Sequence, residues 1–143
     1  AAAIISEAHT DVRESMRAFG RDLGMAFQIV DDVLDFSGEQ HTLGKPVGSD
    51  LLQGLITLPA IYYAEAHPDD PDVLCLTGNH FYTEHERMER LVESVRRSHA
   101  IQSALAEAHQ YIQQALARLE PMPAGPYRAA LENLAAYIVQ RHI

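Results

Sequence analysis

Three aspartates, Asp31, Asp32 and Asp35, lie within one short and otherwise apolar stretch, FQIVDDVLDF. On an α-helix, their carboxylates and Gln28 fall within an arc of about 100°. Two carboxylates about 6 Å apart repel by about 2–3 kcal/mol at an effective dielectric constant of 20. Such a cluster therefore needs open water, protonation of one carboxyl group, or a bound cation.

A divalent cation relieves this repulsion better than protonation does. Oxygen ligands select Mg²⁺, Mn²⁺ or Ca²⁺, and Mg²⁺ typically takes one or two protein carboxylates together with waters and substrate phosphates. The spacing indicates a metal site with Asp31 as the direct ligand and with Asp32 and Asp35 nearby or acting through water. Gly20 and Gly24, on or at the edge of the same face, would leave room for a bulky ligand.

The alternative interpretation is an ordinary solvated acidic face near a helix end. Three arginines lie on or near the same arc, so part of this face could be an ordinary ion-paired surface: Arg13, Arg17 and Arg21. The apolar residues on both sides of the acidic row favour the metal site, because an ordinary surface helix has a broad polar face. We expect a central helix whose acidic row faces a cavity.

A second polar stretch, LGKPVGSD, follows at 43–50. Lys45 stands about ten residues after the aspartates, and from a glycine-flanked loop it could reach a phosphate held by their metal as a point charge. Taken alone, it could equally be a surface lysine. Asp50 is either a helix cap or a carboxylate close to the metal. Thr57, in ITLP, could simply shape a bent helix.

The elements that position these residues all have helical periodicity, and the sequence predicts an all-α, antiparallel helical bundle. We expect the whole chain, 1–143, to be a piece of a longer protein. The predicted helices are the end of one at 1–9, and further helices at 11–37, 49–66 with a bend at Pro59 and a cap at Ser49 or Asp50, 72–77, 83–97, 98–119 and 126–141.

Composition excludes several classes of function. The net charge of −9 argues against binding to nucleic acid or to anionic membranes, both of which favour basic patches. No apolar run approaches the ~20 residues that span a bilayer. The single cysteine, Cys75, cannot form an intrachain disulfide and is compatible with a reducing cytoplasm.

Two longer stretches, GMAFQIVDDVLDF and LGKPVGSDLLQGLITLP, together resemble the second aspartate-rich region of the trans-isoprenyl diphosphate synthases, the polyprenyl synthetase family. The closing LENLAAYIVQRHI is similar to the family's last helix. The resemblance covers the whole chain, which would form only the C-terminal part of the isoprenoid synthase fold. DLLQG followed by TLP looks like the catalytic component of two-component heptaprenyl diphosphate synthases.

The resemblance implies a Mg²⁺-dependent prenyltransferase. In the family's reaction, an allylic prenyl diphosphate loses its diphosphate, and the double bond of isopentenyl diphosphate attacks the resulting carbocation. Loss of a proton then leaves a chain five carbons longer. The implied metal ligands are Asp31, Asp32 and Asp35, with Asp50 supporting the waters of the metal.

The resemblance also assigns substrate contacts and partners. Lys45 would hold the allylic diphosphate, with Gln28 and Thr57 as further substrate-binding residues. Asp31, Asp32 and Lys45 would be the catalytic set. A homodimer, or a heterodimer with a small subunit, is the expected assembly. Apart from the resemblance, Arg141 near the C-terminus could reach a diphosphate, but we expect a solvated position.

Two departures from the family pattern leave alternatives open. Leu55 stands where the family commonly has a lysine, so one diphosphate contact is missing. The family's first aspartate-rich motif is absent and is expected upstream of Ala1, so we predict that the fragment alone is inactive. A non-catalytic helical subunit that dimerises or regulates is the alternative, whereas the intact GKPVGSD loop argues against a related cyclase.

Overall fold

Every regular element of the described part of the chain is an α-helix, which confirms the predicted all-α class. The computed structural model describes residues 2–37, 46–74, 76 and 85–141. Lys45, Cys75 and the predicted start of the helix at 83–97 lie outside these ranges. The helices are α1 (Ala2–Ile5), α2 (Thr10–Ser37), α3 (Ser49–Leu52), α4 (Leu58–Ala66), α5 (Pro71–Leu74), α6 (His85–Arg97), α7 (Ala100–Leu119) and α8 (Pro126–Gln140).

The chain divides into two compact units. The described part of the first unit comprises residues 2–30 and 107–141, and the second comprises residues 31–106. The boundaries fall inside α2 and α7, so each of these helices contributes to both units. None of the described helices combines the length and the hydrophobicity needed to cross a bilayer.

The first unit has a core between the N-terminal part of α2 and the C-terminal part of α7, where Phe19 packs against Ala115 and Leu119. Arg128 joins the start of α8 to the end of α7. Its Nη1 donates to the carbonyls of Glu120 at 3.0 Å and Met122 at 3.1 Å. These bonds satisfy carbonyl groups just beyond a helix C-terminus, where no intrahelical partner exists.

The second unit is built around the end of α2 and helices α3 to α6. Phe36 of α2 and Leu51 of α3 are fully buried, together with Leu91 and Val95 of α6. These residues belong to one apolar cluster that also includes Ala60 and Val73 of α4 and α5. The core therefore lies directly beneath the helix turn that carries the aspartates.

The predicted single helix over 49–66 is wrong, because the structure has two helices separated at Gln53–Thr57. Gly54, with φ of 86°, occupies the left-handed region that favours glycine. Leu55 N–H donates to the carbonyl of Asp50 at 2.8 Å and Gly54 N–H to that of Leu51 at 3.0 Å. This pair of bonds is the Schellman motif that ends α3. Pro59 accordingly lies in the first turn of α4, as its second residue, and does not bend a longer helix.

The predicted cap of α3 also differs from the observed one. The N-cap residue is Gly48, which has φ of 69° and no side chain to accept a hydrogen bond. Ser49 and Asp50, the predicted caps, are the first two residues of the helix. In contrast, Ser98 caps the start of α7 because its Oγ accepts the N–H of Ala100 at 3.1 Å.

Candidate functional site

The acidic row lies at the margin of the second unit's core. Asp31, Asp32 and Asp35 are all half-buried, while Val33 and Phe36 between and beside them are fully buried. The row is therefore neither a fully solvated face nor an enclosed cluster. Gln28, one turn earlier on α2, is exposed.

Asp35 joins α2 to the start of α3. Its Oδ1 accepts a hydrogen bond from Ser49 Oγ at 2.8 Å, and its Oδ2 accepts one from the N–H of Asp50 at 3.1 Å. Its backbone carbonyl accepts the N–H of Gly48 at 2.8 Å. The structure thus brings Asp35 and Asp50 together, although they are 15 residues apart in sequence.

The described residues contain no group of three or more histidine, cysteine, aspartate or glutamate side chains arranged to hold a metal ion. Mg²⁺ does not require such a group, because it commonly takes one or two protein carboxylates and completes its six ligands with waters and phosphates. The half-buried carboxylates of Asp31, Asp32 and Asp50 have the chemistry of such a partial site. They offer only hard oxygen donors, which suit Mg²⁺.

Thr57 occupies the N-cap position of α4, but its side chain makes no capping hydrogen bond. Its Oγ1 is buried and has no hydrogen-bond partner among the described residues. A buried hydroxyl without a partner is costly, so this oxygen is ready to bond a water or a ligand. This feature is consistent with the expected substrate contact.

Leu55, which stands in place of the family's lysine, is exposed to solvent. Leu55 is 58% exposed, and its neighbour Ile56 is 45% exposed. The Schellman motif places Leu55 just beyond the end of α3, outside the core. Lys45 falls outside the described residues, although Val47, two positions later, packs against the core of the second unit.

The first unit contains an apolar groove of about 540 Å³. It is lined by Gly20, Leu23, Gly24, Phe27, Leu134, Tyr137, Ile138 and Arg141. A Cβ atom added at Gly20 or Gly24 would meet nothing within 4 Å, so these glycines leave open space, as expected.

Arg141 differs from its expected solvated position. It is half-buried, and its guanidinium carbon lies 5.0 Å from the centre of the Phe27 ring. This is a cation–π geometry. Arg141 is the C-cap residue of α8, four residues after Tyr137, so it continues the face of the helix that lines the groove; this spacing is the signal that could have identified it.

A buried carboxylate that sequence reasoning missed lies in the first unit. Asp22 is 4% exposed, and its Oδ2 lies 4.0 Å from Nε of Arg118. This oxygen accepts no hydrogen bond from the described residues. The signal in the sequence is heptad spacing, since Asp22 lies in register with Phe19 and Ala26 on the buried face of α2.

A polar network ties α4 to α5 and α6 in the second unit. Tyr63 Oη donates to Asp70 Oδ2 at 2.6 Å, and Asp70 Oδ1 accepts the N–H of Asp72 at 2.8 Å. Arg90 then makes two bonds to the carboxylate of Asp72. The hydrogen bond from Tyr63 lowers the pKa of Asp70, and burial raises the pKa of Tyr63.

Comparison with known proteins places this arrangement in a family. The family model described as polyprenyl synthetase matches residues 1–95. Heptaprenyl diphosphate synthase component 2 of Bacillus subtilis is 38% identical over 139 residues, covering 97% of this chain and 39% of the relative. Hexaprenyl pyrophosphate synthase of Saccharomyces cerevisiae is 38% identical over 98% of this chain and 29% of the relative. The chain thus spans about two fifths or less of these relatives.

Solved structures have the same fold. Heptaprenyl diphosphate synthase from Staphylococcus aureus superposes with a TM-score of 0.86 and 33% identity, covering 95% of this chain and 42% of the other. A polyprenyl synthase from Caulobacter crescentus, complexed with calcium and isoprenyl diphosphate, gives a TM-score of 0.80 and 32% identity over 99% of this chain and 43% of the other. The family model, the relatives and the fold agree: the chain belongs to the polyprenyl synthetase family.

Proposed function

We propose that the whole protein to which this chain contributes is a trans-polyprenyl diphosphate synthase. It would elongate an allylic prenyl diphosphate with isopentenyl diphosphate. The observation that carries the proposal is the half-buried row of Asp31, Asp32 and Asp35, joined through Asp35 to Asp50 in a chain of this family. An all-oxygen site suits a metal-bound diphosphate.

The donor set supports Mg²⁺ as the cofactor. Bound Mg²⁺ would neutralise the diphosphate and make it a better leaving group. Asp31 would be the direct ligand, with Asp32 and Asp35 nearby or acting through water and Asp50 orienting the waters of the metal. Hydrogen bonds from residues that do not themselves touch the metal, such as Asp50 here, typically set the orientation of the groups that do.

The remaining residues would bind the substrates. Lys45 would hold the allylic diphosphate as a point charge, and Thr57 Oγ1, which lacks a partner among the described residues, would donate a hydrogen bond to a substrate oxygen. Gln28, exposed one turn before Asp32, would hydrogen-bond near the diphosphate.

A non-catalytic subunit is the second candidate function. It is favoured by the exposure of Leu55, which replaces a diphosphate-binding lysine with an apolar side chain. The name of the Bacillus subtilis relative, component 2, indicates an enzyme with more than one component. We therefore propose either a homodimer or a heterodimer with a small subunit, acting in the cytoplasm.

A product assay on the full-length protein tests the proposal. The protein is incubated with Mg²⁺, radiolabelled isopentenyl diphosphate and an allylic diphosphate, with and without a candidate small subunit. Label in longer prenyl diphosphates supports the proposal. No elongation in either condition, by protein that is folded, favours the non-catalytic subunit. We expect the 143-residue chain alone to give no turnover, because it carries only the second of the family's two aspartate-rich motifs and would hold half of the metal site.

A further inference from the structure

Asp35 makes a different kind of contact from the one expected of a metal ligand. Three hydrogen bonds connect this single residue of α2 to three consecutive residues, Gly48, Ser49 and Asp50. Both carboxylate oxygens take part, one accepting from a hydroxyl and the other from a backbone N–H. Bonds to an ionised acceptor are shorter and stronger than neutral ones.

Helix α3 needs this carboxylate because it has no side-chain cap of its own. Its N-cap residue is Gly48, and no capping side-chain hydrogen bond is made there. The N–H of Asp50 in the first turn is satisfied by Asp35 instead. Ser49, which is 4% exposed, is buried against the same carboxylate, so its hydroxyl has a fixed position.

We propose that Asp35 and Ser49 are a positioning pair, and that Asp35 does not itself contact the metal. The pair would hold α3 against α2, so that the backbone N–H of Asp50 stays bonded to Asp35, which lies one helical turn after Asp31. It would also fix the chain three residues after Lys45, where Gly48 is bonded to Asp35. This inference rests on the proposed function, because it assigns roles within the same site.

The first experiment measures the pair without any ligand. In ¹⁵N-labelled full-length protein, Ser49→Ala should speed hydrogen exchange at the amide of Asp50 by about tenfold or more, because the local bonds open more often. Ser49→Thr keeps the hydroxyl and should restore the protection. Amides in the middle of α7 serve as the internal control. If the rate of hydrogen exchange at the Asp50 amide is unchanged in Ser49→Ala, the proposal that Asp35 and Ser49 position α3 is wrong.

The second experiment separates positioning from metal ligation. Mn²⁺ binding to the full-length protein, in the presence of inorganic pyrophosphate, is measured by electron paramagnetic resonance. Asp31→Asn and Asp35→Asn remove the same charge, so they are matched. We expect Asp31→Asn to weaken Mn²⁺ binding at least about tenfold more than Asp35→Asn, because only the first removes a direct ligand.

The two experiments fail in distinguishable ways. Equal loss of Mn²⁺ affinity in Asp31→Asn and Asp35→Asn would overturn the inference, because Asp35 would then be a ligand. Wild-type protein that binds no Mn²⁺ would overturn the proposed function and the positioning role with it. In that case faster exchange at Asp50 in Ser49→Ala would show only that the hydrogen bonds hold α3.

Discussion

Gly48 lies directly against Val92 of α6, with no space for a side chain between them. A Cβ atom at position 48 would lie 2.5 Å from Cγ2 of Val92 and 2.6 Å from its Cγ1. Gly48 also has a backbone φ of 69°, a value that residues other than glycine rarely adopt. This contact fixes the position of Gly48, the N-cap residue of α3.

The substitution Gly48→Ala should therefore destabilise the protein. Backbone strain and the clash with a β-branched core residue together should cost about 2–4 kcal/mol of unfolding free energy. Urea denaturation measures this. Gly24→Ala is the control, because Gly24 lies in open space on α2 and alanine there should stabilise by about 0.5–1 kcal/mol. A Gly48→Ala variant as stable as wild type would contradict the strained geometry.

The long helix α2 was predictable from local pattern, whereas the junction after it was not. The predicted bounds 11–37 agree with Thr10–Ser37 to within one residue, because amphipathic periodicity over 28 residues is a local property. The break after α3 depends on Gly54 adopting a positive φ, and Gly54 was not recognised as a helix stop. The sequence carried this signal, since glycine is the residue most often found at that position.

The grouping of the site residues was predictable only in part. Helical geometry placed Asp31, Asp32 and Asp35 on one face, since their spacing is within one helix. The hydrogen bonds from Ser49 and Asp50 to Asp35 cross 14 and 15 residues and depend on tertiary packing, so no periodicity reveals them. The burial of Asp22 was missed because a charged residue normally lies at the surface.

Asp22 offers a test of whether its burial costs stability. Its partner Arg118 is half exposed at a distance of 4.0 Å, so the attraction repays little of the desolvation cost. Asp22→Leu should therefore raise the free energy of unfolding by about 1–3 kcal/mol. Asp11→Leu, at an exposed position of the same helix, should give no comparable gain. A loss of stability in Asp22→Leu would show that the pair is favourable.

The network around Asp70 predicts a dependence of stability on pH. The hydrogen bond from Tyr63 lowers the pKa of Asp70 in the folded state, so its stabilising effect is present above the unfolded value of about 3.9. That effect is lost as the pH falls through the lower folded pKa. The difference in unfolding free energy between wild type and Asp70→Asn should be constant from about pH 7 to 5 and shrink below about pH 4.

Urea denaturation at several pH values measures this difference. Asp69→Asn, which removes the same charge at an exposed neighbouring position, is the matched control. A difference between wild type and Asp70→Asn that stays the same down to about pH 2 would contradict the role of the Tyr63 hydrogen bond.

Lys45 should act in substrate capture more than in the chemical step. Loss of a hydrogen bond to a charged phosphate corresponds to about 1.5–3 kcal/mol, so Lys45→Ala should raise KM for the allylic diphosphate by about 10- to 100-fold. Lys45→Arg keeps the charge and should lose less. Steady-state kinetics of the full-length protein measure both variants. An unchanged KM in Lys45→Ala would remove this residue from the site.

The most direct test of the metal site compares Mg²⁺-dependent binding of an allylic diphosphate by wild-type full-length protein and by Asp31→Asn, using isothermal titration calorimetry. We predict that wild type binds only with Mg²⁺, that Asp31→Asn loses this binding, and that its thermal stability is little changed, because the substitution also relieves carboxylate repulsion. Equally tight, Mg²⁺-dependent binding by the two proteins would contradict the assignment of the acidic row as the metal–diphosphate site.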